Sequence, residues 1–579
     1  MNRKILYGGV IAGLMGLAAV MPGLAEQPNS KQTFVNGQFE SGFAGSYLAS
    51  QYARRSGNYE AATQYLQDAY DTHPDNMELA KQLQGTLLLS GRINDAMNVA
   101  RTIHARENNE AVSALLLTLD AVKNGDDEKA QDILKTSFKS VDGQLWLPLV
   151  SAWLEVNQGT LKKPLDIKSI KAATGRAAMI VQYHLALIND MAGFEKTAAS
   201  NFKQAANDEN PPVRVMEALM SFYERNDKPA ELKPLVEAYI AQYPDFKAEN
   251  IGVHNAKDGI AEVLFTMGSI MLTANLDQDA AIYLRLALFL RPDFPLVQIT
   301  LADSYSDMQQ YEIANELYSQ INPQHSLYLS AQINRAVNFH HLGSIAKALE
   351  LLDQLGKNKD AQYLAMVTKG DILRENLRFA DAVDAYSQAM DLLPALESRH
   401  WGLLFARGAS HERMKNWNQA EKDLQKALSL SEGQPEVLNY LGYLWLVRGK
   451  HTTKAKEMIN NALSQRPNDP QIMDSMGWAY YLTGEYGKAA RLLEKSLNMI
   501  PSDPTVNDHL GDVYWQQGRK NEARFQWERS LMFSPEPEQA ETTRRKLKDG
   551  LQPPDMVSNS NEPPVVASQQ VPPQDKATQ

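Results

Sequence analysis

The chain has 579 residues, a formal net charge of -11, 44% hydrophobic and 22% charged residues, and no Cys. One compact core does not serve that length, so several domains or a stacked array is implied, with the composition of a globular protein rather than a disordered or membrane-embedded one. The acidic balance argues against nucleic acid as the main partner, since phosphate binding needs clustered Lys and Arg. The lack of Cys excludes a disulfide framework, thiol chemistry and a lipid anchor on Cys.

At the N-terminus Arg3 and Lys4 precede an apolar run from Ile5 to Met21, and Pro22 and Gly23 follow it. Gly23-Leu24-Ala25 offers small residues where a signal peptidase reads, so residues 1–25 are expected to be a signal segment cleaved after Ala25. The mature chain is then expected in the periplasm, with residues 26–42 as a linker.

From about Phe43 a pattern of small, aromatic and turn residues recurs. Gly57, Tyr59, Ala62, Leu66, Ala69 and Pro74 open it. The segment from Val150 to Ala173, with Pro164 and Lys162-Lys163, keeps a first helix and breaks the second. Residues 43–246 therefore read as a degenerate array, and residues 247–260, with two Gly, as an insertion or hinge. The pattern sharpens over 261–537, where Gly268, Ala280, Leu284, Ala287 and Pro292 are followed by Gly370, Phe379, Ala382, Tyr386 and Ala389. Gly477, Tyr480, Gly484, Ala489, Leu493, Ser496 and Pro501 then recur as Gly511, Tyr514, Gly518, Ala523, Trp527, Ser530 and Pro535. Residues 538–551 read as a capping helix. Residues 552–579, rich in Pro, Gln and Ser, read as a disordered tail.

This spacing resembles the tetratricopeptide repeat. The resemblance implies an all-α superhelical solenoid of roughly a dozen helix-turn-helix repeats. Its small residues let paired helices approach closely while neighbouring aromatics fill the gaps. The blocks "RHWGLLFARGASHERMKNW", "VLNYLGYLWL", "DSMGWAYYLTGEY" and "NDHLGDVYWQQGR" resemble exported tetratricopeptide proteins of Gram-negative bacteria, particularly alphaproteobacteria. Better-known relatives with this pattern are adaptors of a carboxyl-terminal processing protease that helps degrade cell-wall hydrolases. Those adaptors carry a lipidated Cys, which this chain lacks.

The resemblance also implies which positions of each first helix face the concave groove. These are Asn439, Tyr443 and Leu446, then Asp474, Trp478 and Tyr481, then Asp508, Asp512 and Trp515. As an aromatic and carboxylate ladder they suit a protein or peptide segment with apolar and basic features. The same aromatics also suit packing within and between repeats.

Catalytic signatures are thin. No zinc-protease helix motif, nucleophile elbow or Walker loop is present. Ser344-Ile-Ala-Lys347 has the Ser-x-x-Lys spacing, yet Ser after Gly343 is the expected cap of a helix. His340-His341 has no second ligand pair nearby in sequence. No cofactor or metal is expected. The expected function is a non-catalytic periplasmic scaffold that binds a protein partner, such as the processing protease or its clients. The alternative is a structural part of a polysaccharide synthesis or secretion apparatus.

Overall fold

The structure is a computed structural model, described over residues 43–137, 146–166, 176–208, 211–243 and 252–551. The expected signal segment, linker and Pro-rich tail lie outside the described residues. Those residues form twenty-eight α-helices and one short 3-10 turn, and hold no strand. None of the described helices is long and apolar enough to cross a membrane. Two compact units divide the chain, one ending at Ser344 and the other starting at Ile345.

The repeat is set by a backbone position. Between the two helices of a pair the chain must reverse tightly, and one residue does so in the left-handed region. That residue is Gly57, Gly91, Gly125, Gly159 and Gly193 at steps of 34 residues, all with φ between +64° and +82°, and then Asp227 at φ +53°. Glycine meets this demand without a Cβ penalty. The N-terminal half, degenerate in its side chains, is thus strict in its turns. The phase slips where 48 residues separate Asp227 from Asn275 and resumes at Gln309 and Gly343; in the second unit the step from Leu377 to Lys415 is 38 residues and that from Gly449 to Gly484 is 35.

In the first unit the helix Ala256–Thr273 is buried at fourteen of its eighteen residues. A helix apolar on all sides belongs in a core. It packs on Trp146–Asn157, Arg176–Met191 and Ala111–Lys123, while its successor Asp277–Leu290 packs on Met77–Leu89 and Ala111–Lys123. The earlier repeats therefore close over later ones. Residues 256–260 of the expected hinge are the first turns of this helix. Gly259 there is a packing glycine, because a Cβ would collide with the buried indole of Trp153. The contact is sealed by polar groups: the Tyr305 hydroxyl donates to the Leu89 carbonyl at 2.9 Å, and Tyr183 donates to Glu262 at 3.2 Å. Glu262 also pairs with Arg214, which meets the need of a buried carboxylate for a partner.

The second unit holds five consecutive antiparallel pairs, from Gln362–Glu375 with Phe379–Asp391 to Pro504–Gln516 with Lys520–Met532. Ile345–Leu355 precedes them and Pro537–Asp549 follows. The chain starts each late pair by one device. Pro470 and Pro504 take the first helical position, and the Asp469 and Asp503 carboxylates cap the next amide groups. Gly442, Gly477 and Gly511 face Ile459, Leu493 and Trp527 of the second helix, and an added Cβ would meet those side chains at 2.8, 2.7 and 2.5 Å. The small residues of the pattern therefore answer to helix pairing.

Candidate functional site

The expected site residues flank the pairing Gly on each first helix. Pro435–Val447 carries Asn439 and Tyr443, Pro470–Leu482 carries Asp474, Trp478 and Tyr481, and Pro504–Gln516 carries Asp508, Asp512 and Trp515. The structure brings these residues together. Trp478 stacks on Tyr481 at 4.6 Å and on His509 at 4.1 Å, and Nδ1 of His509 lies 2.8 Å from an oxygen of Asp474. Trp515 lies 5.2 Å from Trp527, whose indole donates to Asp512 at 2.9 Å.

They do not line an open groove. All except Trp515 are no more than 9% exposed, and Trp515 is half-buried. The terminal helix Pro537–Asp549 covers the last rung. The Lys546 ammonium donates to Asp508 at 2.6 Å and to Asp512 at 2.8 Å, and Thr543 donates to Asp508 at 3.0 Å. At the helix start Glu536 pairs with Arg413 at 2.8 Å, so the helix also reaches an earlier repeat of the same unit. The expectation that these eight residues form an exposed ladder is corrected here. Their carboxylates already have cationic or imidazole partners, and Trp478 is stacked between Tyr481 and His509, so they build a buried inner wall between successive repeats.

Burial shows in the ionisation of this wall. Desolvation pushes Asp512 up to about 6, although Lys546 beside it favours the charged form. It likewise raises Glu412 to about 6, against the hydrogen bond donated by Tyr440 at 3.1 Å. For His509 burial favours the neutral ring, but Asp474, Asp508 and Asp512 outweigh it and the pKa rises.

An outer groove of the same unit was not read from the sequence. It is lined by Thr452, Lys456, Asn460, Met476, Tyr480 and Lys488, with a volume near 490 Å³. The Tyr480 ring lies 4.7 Å from the Lys456 ammonium and 5.3 Å from that of Lys488. Glu485 binds both ammonium groups, which hold its carboxyl down at about 2. Tyr480 is in the repeat pattern, and only packing reveals that its ring faces out. His341 stacks on Tyr311 at 4.9 Å. Among the described residues no group of three or more His, Asp or Glu could hold a metal ion. Ser344 stands immediately before the helix Ile345–Leu355.

Recurrent left-handed turns, glycine-mediated helix pairing and an all-helical structure among the described residues define an all-α repeat solenoid. Residues 53–119 and 475–535 each match a tetratricopeptide-repeat family model. No curated protein matches the chain. Among solved structures it is similar to the APC/C hetero-tetramer Cut9–Hcn1, at 16% identity and a TM-score of 0.38, covering 87% of this chain and 96% of that one. A tetratricopeptide repeat protein from Parabacteroides merdae aligns at 17% identity and 0.36, over 44% and 97%. MamA aligns at 20% identity and 0.24, over 33% and 97%.

Proposed function

We propose that this chain is a non-catalytic periplasmic scaffold that holds a protein client and presents it to an envelope protease of the carboxyl-terminal processing kind. The observation that carries the reading is the array itself: helical repeats stack within each unit, and repeats of this type are interaction scaffolds. The basic, apolar, small-residue start from Arg3 to Ala25 supports export, and the sequence blocks quoted above support the protease link. The inner ladder serves this function from beneath. Trp478 and Tyr481 fix the helix Pro470–Leu482, whose Tyr480 then faces the outer groove. There an aromatic face, two ammonium groups and the side chains of Thr452 and Asn460 suit an extended polypeptide with polar side chains.

A photo-crosslinking residue at position 480 tests this in cells. The expected adduct is an envelope protease or its client, absent when the crosslinker replaces the buried Trp478. Adducts with cytoplasmic proteins alone would sink the reading. So would a chain whose first residue is still Met1 in the membrane fraction.

A further inference from the structure

The outer groove of the second unit holds a carboxylate that its place in the helix would send elsewhere. Glu485 stands at the N-cap of Tyr486–Met499, one step after the turn residue Gly484, and its side chain makes no capping hydrogen bond. At the same step after Gly57 and Gly125, Asn58 accepts from the Ala61 amide and Asp126 from the Lys129 amide at 3.1 Å. A glutamate can do this too, since Glu110 caps Ala111–Lys123 through the amides of Val112 and Ser113. Glu485 instead turns into the groove, where Lys456, Thr483 and Lys488 donate to it.

The cations around it are placed against helix stability. In the first unit six second helices open with Glu60, Asp95, Asp127, Glu195, Asp277 and Glu312, as the helix dipole favours. Thr452–Gln465 and Tyr486–Met499 have no acid in the first turn and carry Lys454 and Lys488 there. Lys456 follows on the first of these helices, and Arg491, exposed one turn beyond Lys488, follows on the second. The turn beside the groove is altered as well. Thr452–Gln465 starts three residues after Gly449, where Tyr486–Met499 starts two after Gly484, and His451 in the longer turn takes the left-handed region at φ +47°. A histidine there bears a backbone cost that the turn glycines avoid. Thr452 and Thr453, next in the chain, are exposed along the groove.

A carboxylate held by two ammonium groups and a hydroxyl, beside the Tyr480 ring, displays the chemistry that the groove accepts. Its own helix offers it a second partner. When an incoming carboxylate takes the two ammonium groups, Glu485 is free to turn back onto the open amides at the start of Tyr486–Met499, as Asn58 and Asp126 do on their helices. Neither carboxylate is then left without donors. The exchange leaves Glu457 as the remaining acid of the groove lining, against Lys456 and Lys488 with Arg491 beside them.

We propose that the outer groove selects client segments by their acidic side chains, a client carboxylate replacing Glu485 between Lys456 and Lys488 while Glu485 returns to its helix cap. This rests on the reading that the groove receives a polypeptide. The client is thus opposite in charge to the one that an open inner ladder would take. Fluorescence anisotropy of the purified protein with a labelled peptide of about ten residues alternating Glu and Ser, against its Gln counterpart, tests it. The Glu peptide is expected to bind roughly tenfold tighter or more, with the advantage shrinking as salt rises. Glu485→Gln should tighten it severalfold, because the competing charge is gone; a residue that only ties two repeats together would lower the melting temperature and leave the affinity unchanged. Lys488→Glu should weaken binding roughly tenfold. Lys454→Glu, the same change of charge on a lysine that lies over Trp445, should do much less. Equal binding of the Glu and Gln peptides overturns the proposal, as does a Glu485→Gln chain of unchanged or weaker affinity. So would binding to vesicles containing phosphatidylglycerol without binding to the Glu peptide, which would make the ligand a lipid surface. The crosslinker at position 480 separates this inference from the broader one: client adducts that persist in Lys488→Glu refute acid selectivity alone, and no protein adduct in any variant refutes both.

Discussion

The left-handed turn and the pairing glycine are two single-residue requirements with opposite consequences. Leu377 occupies the turn at φ +58° with its side chain 69% exposed, so it bears the backbone cost while burying little. Leu377→Gly should stabilise the protein by about 0.5–1 kcal/mol, the left-handed penalty of about 1–2 kcal/mol less the added chain entropy. Gly511 has no such freedom, because an added methyl would lie 2.5 Å from the Trp527 ring. Gly511→Ala should destabilise by roughly 1–3 kcal/mol through overpacking. Urea unfolding of both variants checks the signs. Two stabilised variants would mean that Trp527 yields freely.

At the scale of the helix, Pro537–Asp549 is held by one buried cation. Lys546→Met would leave Asp508 and Asp512 facing each other without their ammonium, and breaking such a pair costs about 3–5 kcal/mol. Adding Asp508→Asn and Asp512→Asn to Lys546→Met should recover most of that, since no unpaired charge then remains buried. Equal instability of the single and triple variants in denaturant titrations would refute the ion-pair account. The inner-wall aromatics belong to the same scale: Trp478→Ala should cost roughly 3–5 kcal/mol, as a buried stack rather than an exposed anchor would.

Across the molecule, ionisation and long-range packing decide the behaviour. Asp371, Glu412 and Asp512 all have carboxyls raised to about 6 by burial, and His509 is raised above its usual value by its carboxylate neighbours. A folded pKa above the unfolded one means stability that is present at low pH and lost as pH rises through the folded value. The second unit should therefore melt higher at pH 5 than at pH 7.5, by an amount on the order of 1–3 kcal/mol. Glu412→Gln should flatten part of that slope in calorimetric scans. A wild-type slope of the opposite sign would contradict the buried carboxylates. In the first unit, closure of Met77–Leu89 and Ala111–Lys123 over the two helices from Ala256 to Leu290 couples distant repeats. Hydrogen exchange should show their amides opening together rather than one repeat at a time.

The helical class, the pairing positions and some of the turns, such as Gly57, Gly484 and Gly518, were legible in the sequence because each answers to a local demand repeated many times. Glycine sits where a Cβ cannot, and Gly57, Gly484 and Gly518 where the backbone must turn left; the 34-residue series from Gly91 to Gly193 and the Asp caps before Pro470 and Pro504 emerged only from the backbone. What the sequence by itself could not settle was the direction in which a shared pattern is used. Trp478 and Tyr480 differ by two positions on one helix, yet the first is stacked in the inner wall and the second faces a groove, since exposure depends on what comes back through space to cover a side chain. Gly259 read as part of a hinge because its partner, Trp153, is more than a hundred residues away in sequence. Asp508 and Asp512 read as open carboxylates because the Lys546 that neutralises them belongs to the terminal helix. Periodicity carries information about neighbours in the chain; the closure of each unit is a long-range contact, and only the tertiary structure decided which faces it buried.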